Sequence, residues 1–328
     1  MTTPLYSLSI SARATLDLHS LNNEGGEGNQ IQTRMVNIVD QNGDLQNVNA
    51  ISGDMYKHIQ AEHLFHIARE NPALPLCAGC REFNANRINA DTEFLKRTAD
   101  LSDADLLDEL LRYCAMDDIE GILITENKRS VPRKSVIEFG WVVGVPEKVQ
   151  TDSYFHVKYA SERSSGKRSE DRAATESSGS NLGQAIFHRP ASSGVYAAVC
   201  HLDLARIGFN DIKQEYAIDA EQRALRADAL LKSVLYTFMQ PKGAMRSAQA
   251  PHLVNLEGVL SVSSGAVPAP TVSPLKDNYQ RQMTDIRDNL EKVAPGAVQL
   301  YPFDSLGAFT GIIGELLADL APYELKYQ

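Results

Sequence analysis

Residues 161–180 contain no aliphatic side chain larger than alanine, and almost all of them are Ser, Gly, Glu, Arg or Lys. Such a run buries too little apolar surface to offset the entropy of ordering it, so it cannot belong to a core. The flanks are strand-like: Tyr154-Phe-His-Val-Lys-Tyr before it and Val195-Tyr-Ala-Ala-Val after it. Two strands joined by a polar tip form a long hairpin whose tip is expected to be ordered only by an outside partner. Arg163, Lys167, Arg168 and Arg172 make that partner a polyanion or a neighbouring subunit.

The charge along the chain is divided in the same way. The overall balance of 32 Lys+Arg against 42 Asp+Glu, a net −10, disfavours phosphate binding when taken alone. Residues 128–189, however, carry eleven basic and seven acidic side chains, a net +4 that leaves −14 on the remainder. From Asp100 to Glu120 eight acids stand against Arg112. A basic middle between acidic flanks suits a chain that binds a polyanion on one face and presents acid to the basic face of a further copy of itself.

At 328 residues the chain is read as one domain, 1–328, with insertions. No apolar run approaches a membrane span, and the start Met1-Thr-Thr-Pro-Leu-Tyr lacks the basic flank and apolar stretch of a signal peptide, so a cytoplasmic protein with no membrane partner is expected. Four cysteines are too few for a disulfide scaffold.

Residues 6–18 alternate polar and apolar as a half-buried strand does, with Arg13 on the polar side. The glycine-bearing stretch 22–29 reads as a loop and 31–38 as a strand. Helices are predicted from near Ser52 to Glu70, from Asp103 to Cys114, and from Asp219 to Met239, with a last long one over 275–293. Strands are predicted at 121–125 and 258–262. Strands and helices interleave without a regular βα alternation, which indicates an α+β fold.

Five segments in order resemble the DevR-type backbone subunit of the CRISPR Cascade complex. They are Ser7-Leu-Ser-Ile-Ser-Ala-Arg-Ala with Gln32-Thr-Arg-Met; Ala50-Ile-Ser-Gly-Asp-Met-Tyr-Lys-His; Tyr113-Cys-Ala-Met-Asp-Asp-Ile-Glu-Gly-Ile-Leu; Gln184-Ala-Ile-Phe-His-Arg-Pro-Ala-Ser-Ser-Gly-Val-Tyr-Ala running into Leu202-Asp-Leu-Ala-Arg-Ile-Gly; and Pro241-Lys-Gly-Ala-Met-Arg-Ser-Ala-Gln-Ala-Pro. The resemblance implies a modified RRM-like, ferredoxin-like palm, a helical finger-type insertion near 54–120 and a thumb β-hairpin near 152–190. It also implies copies that stack along a crRNA guide, with target DNA and other Cascade subunits as further partners, no catalytic residues and no required cofactor. The aromatic stacking signature of RNA-reading RRMs is missing, which fits a family that grips the RNA backbone.

Under that resemblance Ser52, Gly53, Lys57 and His58 are the first candidates for guide phosphates: a glycine permitting close approach, a helix start, and positive charge one turn in. Read without it, the same residues are an ordinary helix cap with a solvated lysine. Arg13, Lys242 and Arg246 are similar candidates. Gln184 and Phe187 fall where the thumb returns, where an apolar wedge holds a base out of register; a core role for Phe187 is the plain alternative.

His63-x2-His66 followed by Cys77-x2-Cys80 offers residue types suited to a tetrahedral, structural zinc site, although the order is reversed relative to the usual zinc finger. Asp117, Asp118 and Glu120 have the residue types of a Mg²⁺-dependent nuclease, but neighbouring acids before Gly121 point in different directions and more often cap or solvate a turn. The alternative readings are therefore a metal-dependent ribonuclease of the related type III backbone kind and a zinc-stabilised regulatory protein.

Overall fold

The computed structural model describes residues 4–27, 30–125, 129–159, 184–243 and 250–326. The predicted first strand is β1 (Ser7–His19). The glycine-bearing stretch expected to be a loop is largely strand: β2 (Asn23–Glu27) pairs back on β3 (Gln30–Thr33), ladder bonds having overridden its weak β propensity. The single strand expected over 31–38 is divided between β3 and β4 (Met35–Val39), and β4 pairs with β5 (Leu45–Ile51).

α1 (Gly53–Glu70) begins where the sequence indicates, with the Ser52 hydroxyl accepting from the Met55 N–H. Short helices follow: α2 (Ala78–Arg81), α3 (Thr92–Arg97), α4 (Asp103–Tyr113) and α5 (Ala115–Glu120). β6 (Ile122–Ile124) pairs with β7 (Val131–Arg133), and β8 (Ile137–Phe139) leads into the long hairpin of β9 (Val142–Tyr159) and β10 (Gln184–Leu202). The small ribbon β11 (Phe209–Asn210) with β12 (Glu215–Tyr216) precedes α6 (Ala220–Met239), which the Asp219 carboxylate caps at the Gln222 N–H.

β13 (His252–Ser263) follows. The helix expected over 275–293 is shorter, α7 (Tyr279–Leu290), and it is not the last. β14 (Val298–Phe303) and α8 (Leu306–Ala318) come after it. The sequence reading missed α8 because Gly307, Gly311 and Gly314 lower its helix propensity; docking of Phe309 and Ile313 into the core compensates.

Among the described residues the main sheet has ten strands and runs β14-β13-β1-β10-β9-β5-β4, with β3 and β8 also on β10 and β2 on β3. β1 lies antiparallel between β10 and β13, and β9 is antiparallel to β10. In chain order the four central strands are β1, β9, β10 and β13; α1 falls between the first two and α6 between the last two.

The two faces of β1 are covered differently. Leu8, Ile10, Ala12, Ala14 and Leu16 are buried in the main core with Tyr56, Leu64 and Phe65 of α1 and Leu230, Val234 and Phe238 of α6. α1, which opens the helical stretch read as an insertion, is therefore part of the core layer. On the other face the chain after β13 crosses back over the strand. Ser9 Oγ donates to Ala269 O at 3.0 Å, Ser11 and Thr271 hydroxyls meet at 2.9 Å, and Arg13 Nε donates to Pro274 O at 2.8 Å.

Candidate functional site

The cleft at the start of α1 gathers the most charged candidates. Asp54, Lys57, His58 and Ala61 recur at helical spacing on one side of α1. They form one wall of a cavity of about 460 Å³ whose other walls include Cys80, Phe83, Arg87, Met116 and Glu120.

Gly53 permits a close approach, as the sequence suggests, but to the protein's own backbone: a Cβ there would stand 2.4 Å from Phe139 O. The Ser52 hydroxyl is used as the helix cap, and the Ser52 N–H donates to Asn22 Oδ1 at 3.1 Å. These two residues thus aim the helix, and the charge in the cleft comes from its neighbours. Lys57 Nζ donates to Glu120 O at 2.9 Å. Burial holds the Lys57 ammonium below its ordinary pKa, with the Glu120 carboxylate opposing that shift. Burial likewise raises the Glu120 carboxyl, against the pull of Lys57 and Arg87. His58 is exposed and its ring lies 5.5 Å from that of Phe83.

Arg87 is a cleft residue the sequence reading missed. Its φ of 48° lies in the left-handed region that a side chain rarely adopts, and its Nη1 donates to Gly121 O at 2.7 Å. Gly79 makes this arrangement possible, because a Cβ there would meet Arg87 O at 2.0 Å. No local sequence pattern announces it.

The other candidates are dispersed. Arg13 is a correction: its polar-face placement holds, but its Nη2 donates to Asp277 at 2.9 Å, its guanidinium lies 5.6 Å from the Tyr279 ring centroid, and its side chain is 11% exposed. It clamps the covering segment, so it is not open to a phosphate. Lys242 follows α6 and does not line the cleft. Gln184 and Phe187 occupy the outer register of β10, opposite Tyr159 and His156. Arg163, Lys167, Arg168, Arg172 and Arg246 lie outside the described residues.

The proposed His63, His66, Cys77, Cys80 set is also corrected. His63 Nε2 lies 3.2 Å from Gln240 O, and His66 is exposed, 3.8 Å from Glu62. The two cysteines meet Cys114 and Asp117 instead, all four buried and with their ligand atoms within 4.8 Å of one another. Burial drives the Asp117 carboxyl well above the usual range. Within the cluster, hydrogen bonds from Cys114 and Cys80 draw the Cys77 thiol down, while burial pushes the Cys114 thiol up.

Asp118 points the other way. It accepts from Arg133 Nη2 and Arg226 Nη1, each at 2.6 Å, and from the Gly208 N–H, and all three ionic side chains are fully buried. Asp117, Asp118 and Glu120 therefore face three separate environments and share no ion-binding point.

The arrangement of a mixed α/β chain on an antiparallel sheet is shared with a solved chain. A chain solved in a "CRISPR RNA-guided surveillance complex, pre-nicking" matches with a TM-score of 0.50 and 12% identity, over 95% of this chain and 99% of that one. A chain of a second "CRISPR RNA-guided surveillance complex" matches with a TM-score of 0.45 and 12% identity, over 94% and 98%. Residues 10–284 match the family described as "CRISPR-associated negative auto-regulator DevR/Csa2", so the chain belongs to that family, as its resemblance indicated. A Methanocaldococcus jannaschii relative, "CRISPR-associated protein Cas7/Cst2/DevR", is 26% identical over 297 residues, 87% of this chain and 90% of that protein.

Proposed function

We propose that this protein is the guide-RNA-binding backbone subunit of a type I Cascade effector complex, polymerising along crRNA in the cytoplasm and supporting the pairing of guide with target DNA alongside other Cascade subunits. The observation that carries this reading is how β9 and β10 outrun the sheet of a DevR/Csa2 family member. β1 stops pairing with β10 at Ser192, while β9 and β10 continue together from Asp152↔Ala191 to Tyr159↔Gln184. Along this arm β3 joins β10 at His188, opposite Gln30, and beyond that point β9 and β10 run on as a pair, an extension that suits a thumb folding against RNA and the next copy.

The strand order β13-β1-β10-β9, with α1 and α6 as the two crossovers, is that of a ferredoxin-like βαββαβ unit and supports an RRM-like palm, with 71–121 as the finger-type insertion and 152–190 as the thumb. RRMs commonly stack bases on the sheet face away from the helices. Here residues 269–279 cover that face, which leaves the cleft and the thumb for RNA. Lys57, His58 and Arg87 then serve guide phosphates, and sequence specificity rests on base pairing. The role is non-enzymatic: Asp118 is neutralised by two arginines, Asp117 faces thiols, and Glu120 is buried beside Lys57.

Replacing Lys57 with Met tests this. Affinity for two unrelated guide RNAs should fall by the same factor, and the slope of log K against log salt should flatten by about one. A loss confined to one guide sequence, or an unchanged slope, rejects the assignment.

A further inference from the structure

We propose that Cys77, Cys80, Cys114 and Asp117 bind one structural zinc ion, a ligand set that joins the 77–80 turn to the α4–α5 junction.

The geometry is close to what the ion requires. Zn–S bonds of about 2.3 Å and Zn–O bonds of about 2.0–2.2 Å in a tetrahedron place ligand atoms roughly 3.4–3.8 Å apart. Asp117 Oδ2 lies 3.3 Å from Cys77 Sγ and 3.7 Å from Cys80 Sγ, and no pair in the group of four exceeds 4.8 Å. Small side-chain rotations therefore suffice.

The surroundings are those of a ligand set. The Cys80 N–H donates to Cys77 Sγ at 3.3 Å and the Asp117 N–H to Cys114 Sγ at 3.5 Å, bonds that orient the sulfur atoms. Asp117 is fully buried, and its Oδ1 has no hydrogen-bond partner among the described residues. A buried carboxylate left this way is costly, and a cation held by the group removes the cost.

Three thiolates and one carboxylate prefer zinc to magnesium or calcium. Four protein ligands leave no open position, so the ion is structural rather than catalytic. Its place also gives it a consequence for the cleft, because Cys80 and Met116 stand in the same wall as Arg87, opposite Lys57 and His58. Cys200 provides the contrast: it is buried in β10 outside the cluster, where it packs as a small apolar side chain.

Elemental analysis of the full chain, purified without chelator, should find about one zinc per chain. Exchange with Co²⁺ should produce thiolate-to-cobalt charge-transfer absorption and the visible bands of a tetrahedral site. Cys114→Ser should lose both signals, whereas the double variant His63→Ala, His66→Ala should keep both. Zinc-free protein that shows no cobalt bands overturns the proposal, as does iron in place of zinc or loss of metal in the histidine variant. If Cys114→Ser does not fold, the cobalt spectrum of the unaltered chain decides the matter alone.

Discussion

On the helix-covered face of β1, Leu8, Ile10 and Leu16 pack beneath α1 and α6, while on the opposite face Ser9, Ser11 and Arg13 bond to Ala269, Thr271, Pro274 and Asp277. The first face is held by apolar area and the second by a row of directed polar contacts. Both faces are closed by the chain itself. A strand that alternates apolar and polar residues is usually read as core on one side and solvent or ligand on the other. Here the polar side of β1 binds a segment of the same chain, so Arg13 is not left free for an outside polyanion.

The largest effect is expected on the helix side. Asp118→Ala would leave Arg133 and Arg226 buried without their carboxylate, which should cost roughly 3–5 kcal/mol in denaturant unfolding. A loss below about 1 kcal/mol would mean that the buried charges find other partners or water.

The same side should be sensitive to acid through His19. Its ring lies 4.8 Å from that of Tyr196, and burial lowers its pKa from 6.5 to about 4. The folded state then binds fewer protons than the unfolded one between those values. Its contribution is complete above pH 6.5 and lost as the pH falls toward 4. The loss should be on the order of 3 kcal/mol, and His19→Leu should flatten that part of the stability–pH curve. An identical curve for the variant would place the sensitivity in other groups.

Arg13→Ala bears on the polar face and should have the smallest effect. Losing its bonds to Pro274 and Asp277 should cost about 1–2 kcal/mol and leave guide-RNA affinity unchanged. Reduced RNA affinity at unchanged stability would reopen that face as a binding surface.

The parts legible in the sequence were those coded locally. The β1 alternation, the capped starts of α1 at Ser52 and α6 at Asp219, and the strands flanking 161–180 each need only a short window of residues. Lys57 and His58 are singled out by the family resemblance and by their place in the first turns of α1, and both line the cleft.

The remaining features depend on distant chain. Arg13 looks like a free cation until residues 274–279 arrive to clamp it. Cys114 and Asp117 join Cys77 and Cys80 only because α4 and α5 return to the 77–80 turn, and His63 and His66, nearer in sequence, face elsewhere. β2 was masked by its two glycines, and α8 by its three.

The most direct measurement is the nucleic acid that the purified full-length protein carries, read from its absorbance ratio and by extracting and sequencing what is bound. A backbone subunit that assembles on crRNA should carry RNA enriched in repeat-derived guides, with spacer sequences that vary from molecule to molecule. Protein free of nucleic acid that also fails to assemble on added guide RNA would contradict the assignment.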